Sequence, residues 1–303
     1  MTTLNAPLVL QAAASVAGMQ SFPQSALYVV ATPIGNLADL SLRAVHVLAL
    51  VDAVACEDTR QGAHLLHQFG LDKPLLALHE HNERAAADLV LQRLARGERV
   101  AYVSDAGTPA ISDPGAILVA MVAAAGYRCL PIPGASSVIA ALSVAGDVVG
   151  GPFQFVGFLP PRGSERGRAL QAIADCPGTQ VLFEAPHRIE ALAQSLALLC
   201  ANRKVTICRE LTKQFETVFT LALAELPTWL ATDSNRARGE FVLVLHALER
   251  ALEAAQVNSH DAMLAALMGE LPLKQAVALA SKLSGAARNA LYERALELKR
   301  TAG

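Results

Sequence analysis

The chain has 303 residues, of which 53% are hydrophobic and 17% charged, so it has enough apolar material for more than one buried core and is not intrinsically disordered. Its formal net charge of −2 excludes a general attraction for polyanions, and any contact with nucleic acid must use a local basic patch. The five cysteines include no Cys-x-x-Cys pair, which argues against a zinc ribbon or a disulfide framework and favours reduced thiols in the cytoplasm. Pro and Gly interrupt the longest uncharged stretch, so no membrane span is predicted.

Residues 1–25 carry no charged side chain and no basic segment of the kind that begins a signal peptide. Gln11 and Gln20 also interrupt their apolar run. We predict a flexible amino-terminal leader for this segment.

From Ala26 onward, short apolar runs alternate with amphipathic segments. A helix is predicted after each strand, the first capped by Ser41 and the last beginning at Ser136 or Ser137. This alternation predicts an α/β domain over residues 26–148 with a mostly parallel sheet covered on both faces. The predicted strands are residues 27–31, 51–56, 74–78, 99–103 and 127–132.

The segment from Gly146 to Pro152 contains two adjacent glycines and predicts a domain boundary. A second α/β domain is predicted over residues 149–248, and residues 249–303 lack any strand pattern. Residues 249–303 are therefore predicted to form a helical appendage of the helix-turn-helix kind. The predicted strands are residues 153–158, 179–183, 204–208, 217–221 and 241–245, and the predicted terminal helices are residues 261–268, 273–283 and 286–298.

Three loops follow predicted strands of the first domain, where open α/β sheets bind their ligands. The first contains Pro33 and Gly35, which favour a tight turn and close approach of a ligand to the backbone. The second contains Asp105, whose carboxylate would accept hydrogen bonds from a ligand, and the third contains Ser136 and Ser137, which also suit a helix cap. The alternative interpretation, ordinary turn and capping residues, remains open for each loop. A GxGxxG segment is absent, which argues against a standard dinucleotide site.

The order of these motifs carries more information than any one of them. The chain runs through TPIGN from Thr32, EDTR from Glu57, HEHNE from His79, SDAGTPAISDPG from Ser104 and PGASS from Pro133, with FEAPHR and RGEFVL later. This series resembles the ribosomal RNA branch of the tetrapyrrole methylase family from about residue 26 to 248, and the last helices resemble that branch's appendage. Tetrapyrrole methylases usually have a GGDP-like sequence where this chain has SDAG, which favours the RNA branch.

The resemblance implies two α/β lobes of the tetrapyrrole methylase type with a cofactor cleft between them, plus a small carboxy-terminal helical module. It implies S-adenosyl-L-methionine as cofactor, 16S ribosomal RNA or the small ribosomal subunit as substrate, and 2′-O-methylation of a cytidine ribose by a cytoplasmic homodimer. The cofactor contacts that it implies are Pro33, Gly35, Asp105, Ala106, Gly107, Ser136, Ser137, Phe183, Glu184, Gly239 and Glu240.

A ribose hydroxyl is a weak nucleophile, so a proton acceptor is expected beside it. Among the polar residues at the strand ends, we select Glu57, His81 and Asn82 as catalytic candidates, although Glu57 also has a purely structural interpretation as a partner of Arg60. His79 and His81 flank Glu80, but no third ligand is evident and no metal site is predicted.

Substrate contacts are predicted from local positive charge. Arg60 and Arg188 suit phosphate clamping. Arg162 and Arg166, with Arg168, lie in a Gly- and Pro-containing segment that we interpret as a mobile basic lid over RNA, with a solvated loop as the alternative. The last 33 residues are also basic and suit an RNA-contacting appendage or a dimer contact.

Two other functions remain open from the sequence. One keeps the fold and makes the substrate a tetrapyrrole, either uroporphyrinogen or a corrin precursor. The other is a non-enzymatic nucleic-acid-binding regulator that uses the terminal helices, which leaves the elaborate strand-end loops unexplained.

Overall fold

The computed structural model describes residues 5–248 and 260–301, and these form two compact units. The first unit holds the described residues up to Val144 together with Cys208–Val218. The second holds Ala145–Ile207 and the described residues from Phe219 onward. No helix in the described ranges combines the length and the hydrophobicity that a membrane span requires.

The first unit contains a five-stranded sheet in the order β3-β2-β4-β1-β5, and every neighbouring pair is parallel. The predicted parallel α/β arrangement is therefore confirmed. The strands are β1 Ala26–Val30, β2 Ala53–Cys56, β3 Leu75–Ala77, β4 Arg99–Val103 and β5 Arg128–Ile132, and the helices are α1 Ala6–Ala17, α2 Leu42–Leu50, α3 Thr59–Gln68, α4 Glu83–Ala95, α5 Ala116–Ala124 and α6 Ser137–Ala145.

The strands β1, β2 and β4 are apolar along almost their whole length because helices cover both faces of the sheet. One core, under α1 to α3, includes Val45 and Leu48; the other, under α4 and α5, includes Val90 and Leu118. Since all five strands are parallel, their carboxyl ends meet at one edge, which this architecture uses for ligands.

The predicted flexible leader is wrong for residues 6–17, which form helix α1. Ala13 and Ala17 are buried, and Val9 and Leu10 pack against the core that includes α2. The side chain of Asn5 caps the helix by accepting the backbone N–H of Leu8 at 3.3 Å. The absence of charged side chains favoured a flexible leader, yet the small alanines let the helix pack closely on the domain.

The loop between β4 and α5 is fixed at its far end by Glu83, the first residue of α4. Its Oε1 accepts the backbone N–H groups of Gly115 at 2.9 Å, Ile117 at 2.7 Å and Leu118 at 3.1 Å. A buried carboxylate thus satisfies the free amides at the start of α5. Gly115 has φ of 123°, and a Cβ there would lie 2.2 Å from the ring of Tyr102, so only glycine fits.

The second sheet has the order β6-β7-β10-β8-β9, with β6 parallel and β10 antiparallel to β7. All five strands predicted for this part of the chain are present. They are β6 Phe153–Phe158, β7 Thr179–Glu184, β8 Lys204–Arg209, β9 Thr217–Ala222 and β10 Phe241–Leu245, and the helices that follow the first unit's six are α7 Gly163–Asp175, α8 Ile189–Cys200, α9 Leu226–Ala231, α10 Asp261–Glu270, α11 Leu273–Ser284 and α12 Arg288–Thr301.

The predicted mobile basic lid is wrong, because its arginines belong to α7 or to its cap. Arg162 is the N-cap residue, and Arg166 and Arg168 lie within the helix. The glycines of this segment suggested a loop, but Leu170 and Ile173, three positions apart, are buried against the second core and hold the helix in place.

Arg203 joins several segments of the second unit and is only 2% exposed. Its guanidinium donates to the carbonyl oxygens of His246 at 2.8 Å, Ile173 at 3.2 Å and Cys176 at 2.9 Å, and also to that of Gly178. One side chain therefore ties the end of α7, the turn that follows it and the exit of β10.

Helices α10, α11 and α12 pack around a small core that includes Leu264, Val277 and Leu291. Arg294 contacts Asp261 at 2.7 Å and Glu297 at 2.7 Å. The three predicted terminal helices are confirmed, while residues 249–259 and 302–303 of the predicted appendage lie outside the described residues. The basic side chains at this end that are exposed are Lys274, Lys282, Arg288, Lys299 and Arg300.

Candidate functional site

A cavity of about 550 Å³ opens at the carboxyl edge of the first sheet, where β1, β2 and β4 end. Its volume lies within the range of roughly 300–1,000 Å³ that small-molecule sites occupy. Three predicted cofactor contacts line it, namely Pro33, Gly35 and Asp105. The full lining is Thr32, Pro33, Gly35, Leu37, Cys56, Gln61, Gly62, His64, Leu65, Gln68, Val103, Ser104 and Asp105.

The loops after β1 and β4 are joined by their backbones beside this cavity. The N–H of Thr32 donates to the carbonyl of Gly107 at 2.8 Å, and the N–H of Gly107 donates back at 3.1 Å. The hydroxyl of Thr32 also donates to the carbonyl of Ser104 at 3.1 Å. The predicted contact Gly107 is therefore buried in this bridge, whereas Ala106 is exposed, and neither lines the cavity.

Asp105 is held by two neighbours. Its Oδ1 accepts the backbone N–H of Asp58 at 3.2 Å, and its Oδ2 accepts the side-chain amide of Gln61 at 2.9 Å. Both donors lie at the start of α3, so the carboxylate has a defined orientation. Each oxygen retains capacity for a further hydrogen bond from a ligand.

Three carboxyl groups lie close together at this edge. Burial raises the pKa of Glu57, and the nearby charges of Asp105, Asp113 and Glu80 raise it further, while His79 opposes the shift. Burial likewise raises the pKa of Asp113, with a hydrogen bond from Ser104 acting against it and Asp105 adding to it. The cluster favours a cationic ligand, and Glu57 is a better proton acceptor than an ordinary glutamate.

The other two predicted catalytic residues are placed differently. Asn82 accepts the backbone N–H of His79 at 2.8 Å and donates to the carbonyl of Ala77 at 3.0 Å, so its side chain holds the loop after β3. The His81 side chain is 82% exposed, with Nε2 3.3 Å from Glu80. His79 instead has a buried Nδ1 that finds no hydrogen-bond partner in the described part of the chain. Of the two histidines, His79 is the one whose charge acts on Glu57.

Arg60 pairs with Asp58 and not with Glu57, which removes the structural interpretation of Glu57. Its Nε and Nη2 lie 3.0 and 2.6 Å from the two carboxylate oxygens of Asp58, and these hydrogen bonds lower the pKa of Asp58 to about 2. The Arg60 side chain is 90% exposed. It therefore lies at the surface at the start of α3, with its guanidinium paired to Asp58.

Ser136 and Ser137 occupy the start of α6, where the carbonyl of Ser136 accepts the N–H of Ala140 at 2.9 Å. The preceding residue, Ala135, accepts the hydroxyl of Thr108 at 3.1 Å. The serine loop is thereby tied to the loop of Asp105, but it does not line the cavity.

In the second unit, the antiparallel pairing of β7 and β10 brings the other predicted cofactor contacts together. Phe241 is the register partner of Glu184, so Gly239 and Glu240, which precede β10, lie beside the end of β7. The ring of Phe183 contacts Phe155 and Phe158 edge to face, with centroids 5.0 and 5.5 Å away.

Glu184 binds two of the predicted substrate contacts. Its side chain is fully buried, with Oε1 3.0 Å from Arg188 and Oε2 3.7 Å from Arg166. Arg188 also donates to the carbonyl of Leu159 at 2.6 Å, and Arg166 to that of Pro160 at 3.2 Å. These arginines are thus committed to contacts within their own unit, while Arg162 is exposed.

Sequence reasoning missed the polar residues that α3 contributes to the cavity. Gln61, His64 and Gln68 are spaced by three and four positions, so they share one face of the helix, and the amide of Gln68 lies 3.3 Å from Nε2 of His64. That spacing, directly after the EDTR motif, is the signal that would have identified them. No group of three or more His, Cys, Asp or Glu side chains within residues 5–248 and 260–301 is arranged to hold a metal ion.

Comparison with known proteins places this arrangement in a family. The model described as Tetrapyrrole (Corrin/Porphyrin) Methylases matches residues 26–227. The uroporphyrin-III C-methyl transferase of Thermus thermophilus, solved in complex with S-adenyl homocysteine, superposes with a TM-score of 0.51 at 18% identity, covering 73% of this chain and 97% of its own. A cobalt precorrin-4 methyltransferase gives a TM-score of 0.54 at 19% identity, covering 73% and 95%. The structural likeness shows the shared fold, and the chain belongs to the tetrapyrrole methylase family.

Its curated relatives define the branch. Ribosomal RNA small subunit methyltransferase I of Pseudomonas aeruginosa is 48% identical over 274 residues, which cover 89% of this chain and 96% of that protein. Proteins of the same name from Neisseria meningitidis serogroup A and Escherichia coli O157:H7 are 46% and 45% identical. Each alignment covers 90% of this chain, and the two cover 94% and 96% of the relatives' lengths, respectively. The model described as RsmI C-terminal HTH domain matches residues 249–299. The chain belongs with the ribosomal RNA small subunit methyltransferase I proteins, which confirms the resemblance predicted from the motif order.

Proposed function

We propose that this chain is an S-adenosylmethionine-dependent methyltransferase that modifies ribosomal RNA of the small subunit. The observation that carries the proposal is the 45–48% identity to relatives of that name over nearly the full chain. The solved tetrapyrrole methylases share the fold at only 18–19% identity, which disfavours a tetrapyrrole substrate. A regulator without catalytic activity has no need of an acidic cavity at the strand ends.

The residues of the cavity fit S-adenosylmethionine. That cofactor carries a positively charged sulfonium and an ammonium group, and the cavity has Asp105 in its wall with Glu57 and Asp113 nearby. Asp105 would accept hydrogen bonds, and Pro33 and Gly35 leave the backbone accessible. When bound, the cofactor supplies an electrophilic methyl group. The loops of Ala106, Gly107, Ser136 and Ser137 hold this wall in place, and Phe183, Glu184, Gly239 and Glu240 form the second group of proposed contacts.

We assign Glu57 the role of accepting the proton of the substrate hydroxyl, which we propose to be the 2′-hydroxyl of a cytidine in 16S ribosomal RNA. Its partial burial and its acidic neighbours raise its pKa, which makes it a stronger proton acceptor than an ordinary glutamate. His79 lies near enough to influence it, and Asn82 positions the loop that carries His79. His81, whose side chain is exposed, is not assigned a part in this proton transfer.

RNA binding is assigned to exposed cations. Arg60 and Arg162 are exposed, and five basic side chains of the terminal helices are exposed as well. Each phosphate neutralised in this way releases counterions, which gives the affinity for RNA its salt dependence. We further propose that the chain forms a homodimer and acts in the cytoplasm. The cytoplasmic location agrees with the five cysteines, which are all free in the structure.

The function is tested with purified chain, labelled S-adenosylmethionine and small ribosomal subunits from cells that lack the corresponding gene. We expect label in 16S RNA, and mass mapping of nuclease fragments should place it on a cytidine ribose. Uroporphyrinogen serves as the competing substrate. Label in the tetrapyrrole and none in RNA would overturn the assignment.

Replacing Asp105 with asparagine is expected to weaken binding of S-adenosylmethionine by about 10- to 150-fold, the range for one charge-assisted hydrogen bond of ~1.5–3 kcal/mol. The variant loses the negative charge and one of the two acceptor oxygens that Asp58 and Gln61 now orient. Calorimetric titration measures the affinity. Asp72→Asn, at an exposed acid of the same unit, is the control and should bind normally. Equal affinity in both variants would remove Asp105 from the site.

A further inference from the structure

Three planar groups lie together beside the edge strand β9. The ring of Phe219 lies nearly parallel to that of Trp229 on α9, with an interplanar angle of 13° and centroids 5.7 Å apart. The guanidinium carbon of Arg236 lies 4.6 Å from the centroid of the Trp229 ring. We call this group the Phe219 platform.

Two members of the platform, Trp229 and Arg236, are held by contacts within the second unit. Trp229 is partly buried and packs against the second hydrophobic core, and its carbonyl accepts Nη1 of Arg236 at 3.0 Å. The same nitrogen donates to the hydroxyl of Thr232 at 2.6 Å. Trp229 and Arg236 are therefore held in place before any ligand arrives, which lowers the entropic cost of binding.

The upper member of the stack is exposed. Phe219 is 46% accessible although it is a large apolar residue. It also lies on β9, the last strand in the order of the second sheet, where an apolar surface promotes unwanted association. An exposed phenylalanine ring that is already stacked on a tryptophan can stack a further planar group on its free face.

The charge of Arg236 indicates the kind of planar group. Within the described residues Arg236 forms no ion pair with Asp or Glu, since its partners there are a carbonyl, a hydroxyl and an aromatic ring. An uncompensated cation beside a stacked aromatic pair suits an anionic ligand with flat aromatic parts better than an apolar protein surface. Unpaired RNA bases stack on aromatic side chains in this manner, and their phosphates attract arginine.

We propose that the Phe219 platform binds an unpaired nucleobase of the RNA substrate by stacking on Phe219. This rests on the proposed function, because it names a second contact for the same RNA. Stacking is available to every base, so the platform holds the RNA strand and leaves the choice of the methylated nucleotide to the site at the first sheet.

Trp229 is the single tryptophan of the chain, so its fluorescence reports on the platform directly. The full chain is titrated with a single-stranded oligouridylate and, separately, with an abasic ribose-phosphate oligomer of the same length. We expect the oligouridylate to change the emission of Trp229 and the abasic oligomer to leave it nearly constant. Equal responses to both oligomers would overturn the proposal.

Phe219→Leu keeps apolar bulk and removes the ring, and it should weaken oligouridylate binding by about 5- to 150-fold, the range for one stacked base. Phe219→Tyr should retain the affinity, which separates a loss of stacking from a loss of folding. Phe153→Leu is the matched control, because Phe153 is 47% exposed and lies on β6 at the opposite end of the same sheet order. Unchanged affinity in Phe219→Leu, or an equal loss in Phe153→Leu, would contradict the platform.

Two further measurements separate this proposal from the others. Methyl transfer by the wild type to small ribosomal subunits tests the proposed function independently of Phe219. If Phe219→Leu is active and its KM for RNA is unchanged, the platform proposal is rejected while the proposed function stands. Sedimentation tests whether a second copy of the chain covers β9. Conversion of a dimer to a monomer in Phe219→Leu, without any change in oligouridylate affinity, would assign the ring to a protein interface and overturn the proposal.

Discussion

Replacing Glu57 with glutamine is expected to lower the rate of methyl transfer to small ribosomal subunits by about 10²- to 10⁴-fold, the usual contribution of a positioned proton acceptor. Glutamine has nearly the same shape but cannot take up a proton. The measurement is single-turnover transfer from labelled cofactor under saturating conditions, which isolates the chemical step from RNA binding. Asp88→Asn is the control, because Asp88 is exposed on α4 and is not among the charges that shift the pKa of Glu57.

The pH dependence gives a second measurement of the same residue. Because the pKa of Glu57 is raised in the folded chain, the wild-type rate should increase with pH as this carboxyl loses its proton, and Glu57→Gln should lack that acidic limb. A raised pKa also means that the stability contributed by the protonated group is present at low pH and is lost as the pH rises through the folded-state pKa. At neutral pH the glutamine variant should therefore unfold no more easily than the wild type. Normal turnover in Glu57→Gln would eliminate this residue as the base.

Replacing Arg203 with lysine is expected to lower the free energy of unfolding of the second unit by about 3–5 kcal/mol. The change leaves several buried carbonyl oxygens without their donor, at ~1–3 kcal/mol each, and the hydrogen bonds that the lysine ammonium can still reach offset part of the loss. A lysine ammonium is a point charge that cannot span the carbonyls of Ile173, Gly178 and His246 together. Burial also lowers the pKa of Arg203, in agreement with its desolvation.

Equilibrium unfolding in urea, followed by the fluorescence of Trp229, measures this loss within the unit that contains Arg203. Arg162→Lys serves as the control because Arg162 is exposed, and its midpoint should match that of the wild type. A shift of less than 1 kcal/mol in Arg203→Lys would show that the carbonyl contacts do not stabilise the unit.

The strands could be predicted from the sequence because each is a short apolar run bounded by turn residues. Val100 to Val103 in β4, for example, are all buried, so nothing in the run alternates. The helices α1 and α7 could not be predicted in the same way. In α1 the packing surface is made by alanines, and in α7 two glycines obscure the spacing of Leu170 and Ile173.

The sequence predicts site residues whose place depends on the backbone position of a loop. It does not predict those whose role depends on which side chains they contact. Pro33 and Asp105 line the cavity because parallel strands bring their ends to one edge. The capture of Arg166 and Arg188 by the buried Glu184 depends on the packing of α7 and α8 against the second sheet, which local sequence does not report. For the same reason the local sequence does not report that Glu83 caps α5.

The reciprocal backbone hydrogen bonds between Thr32 and Gly107 have a consequence for how the enzyme tolerates change over evolutionary time. Main-chain bonds do not depend on side-chain identity, so substitutions at neighbouring positions such as Ile34 or Ala106 leave them in place. A single inserted or deleted residue in either loop, by contrast, shifts the register and removes both bonds together. The lengths of the two loops are therefore under stronger constraint than most of their residues, and natural variation should appear there as substitutions and not as insertions.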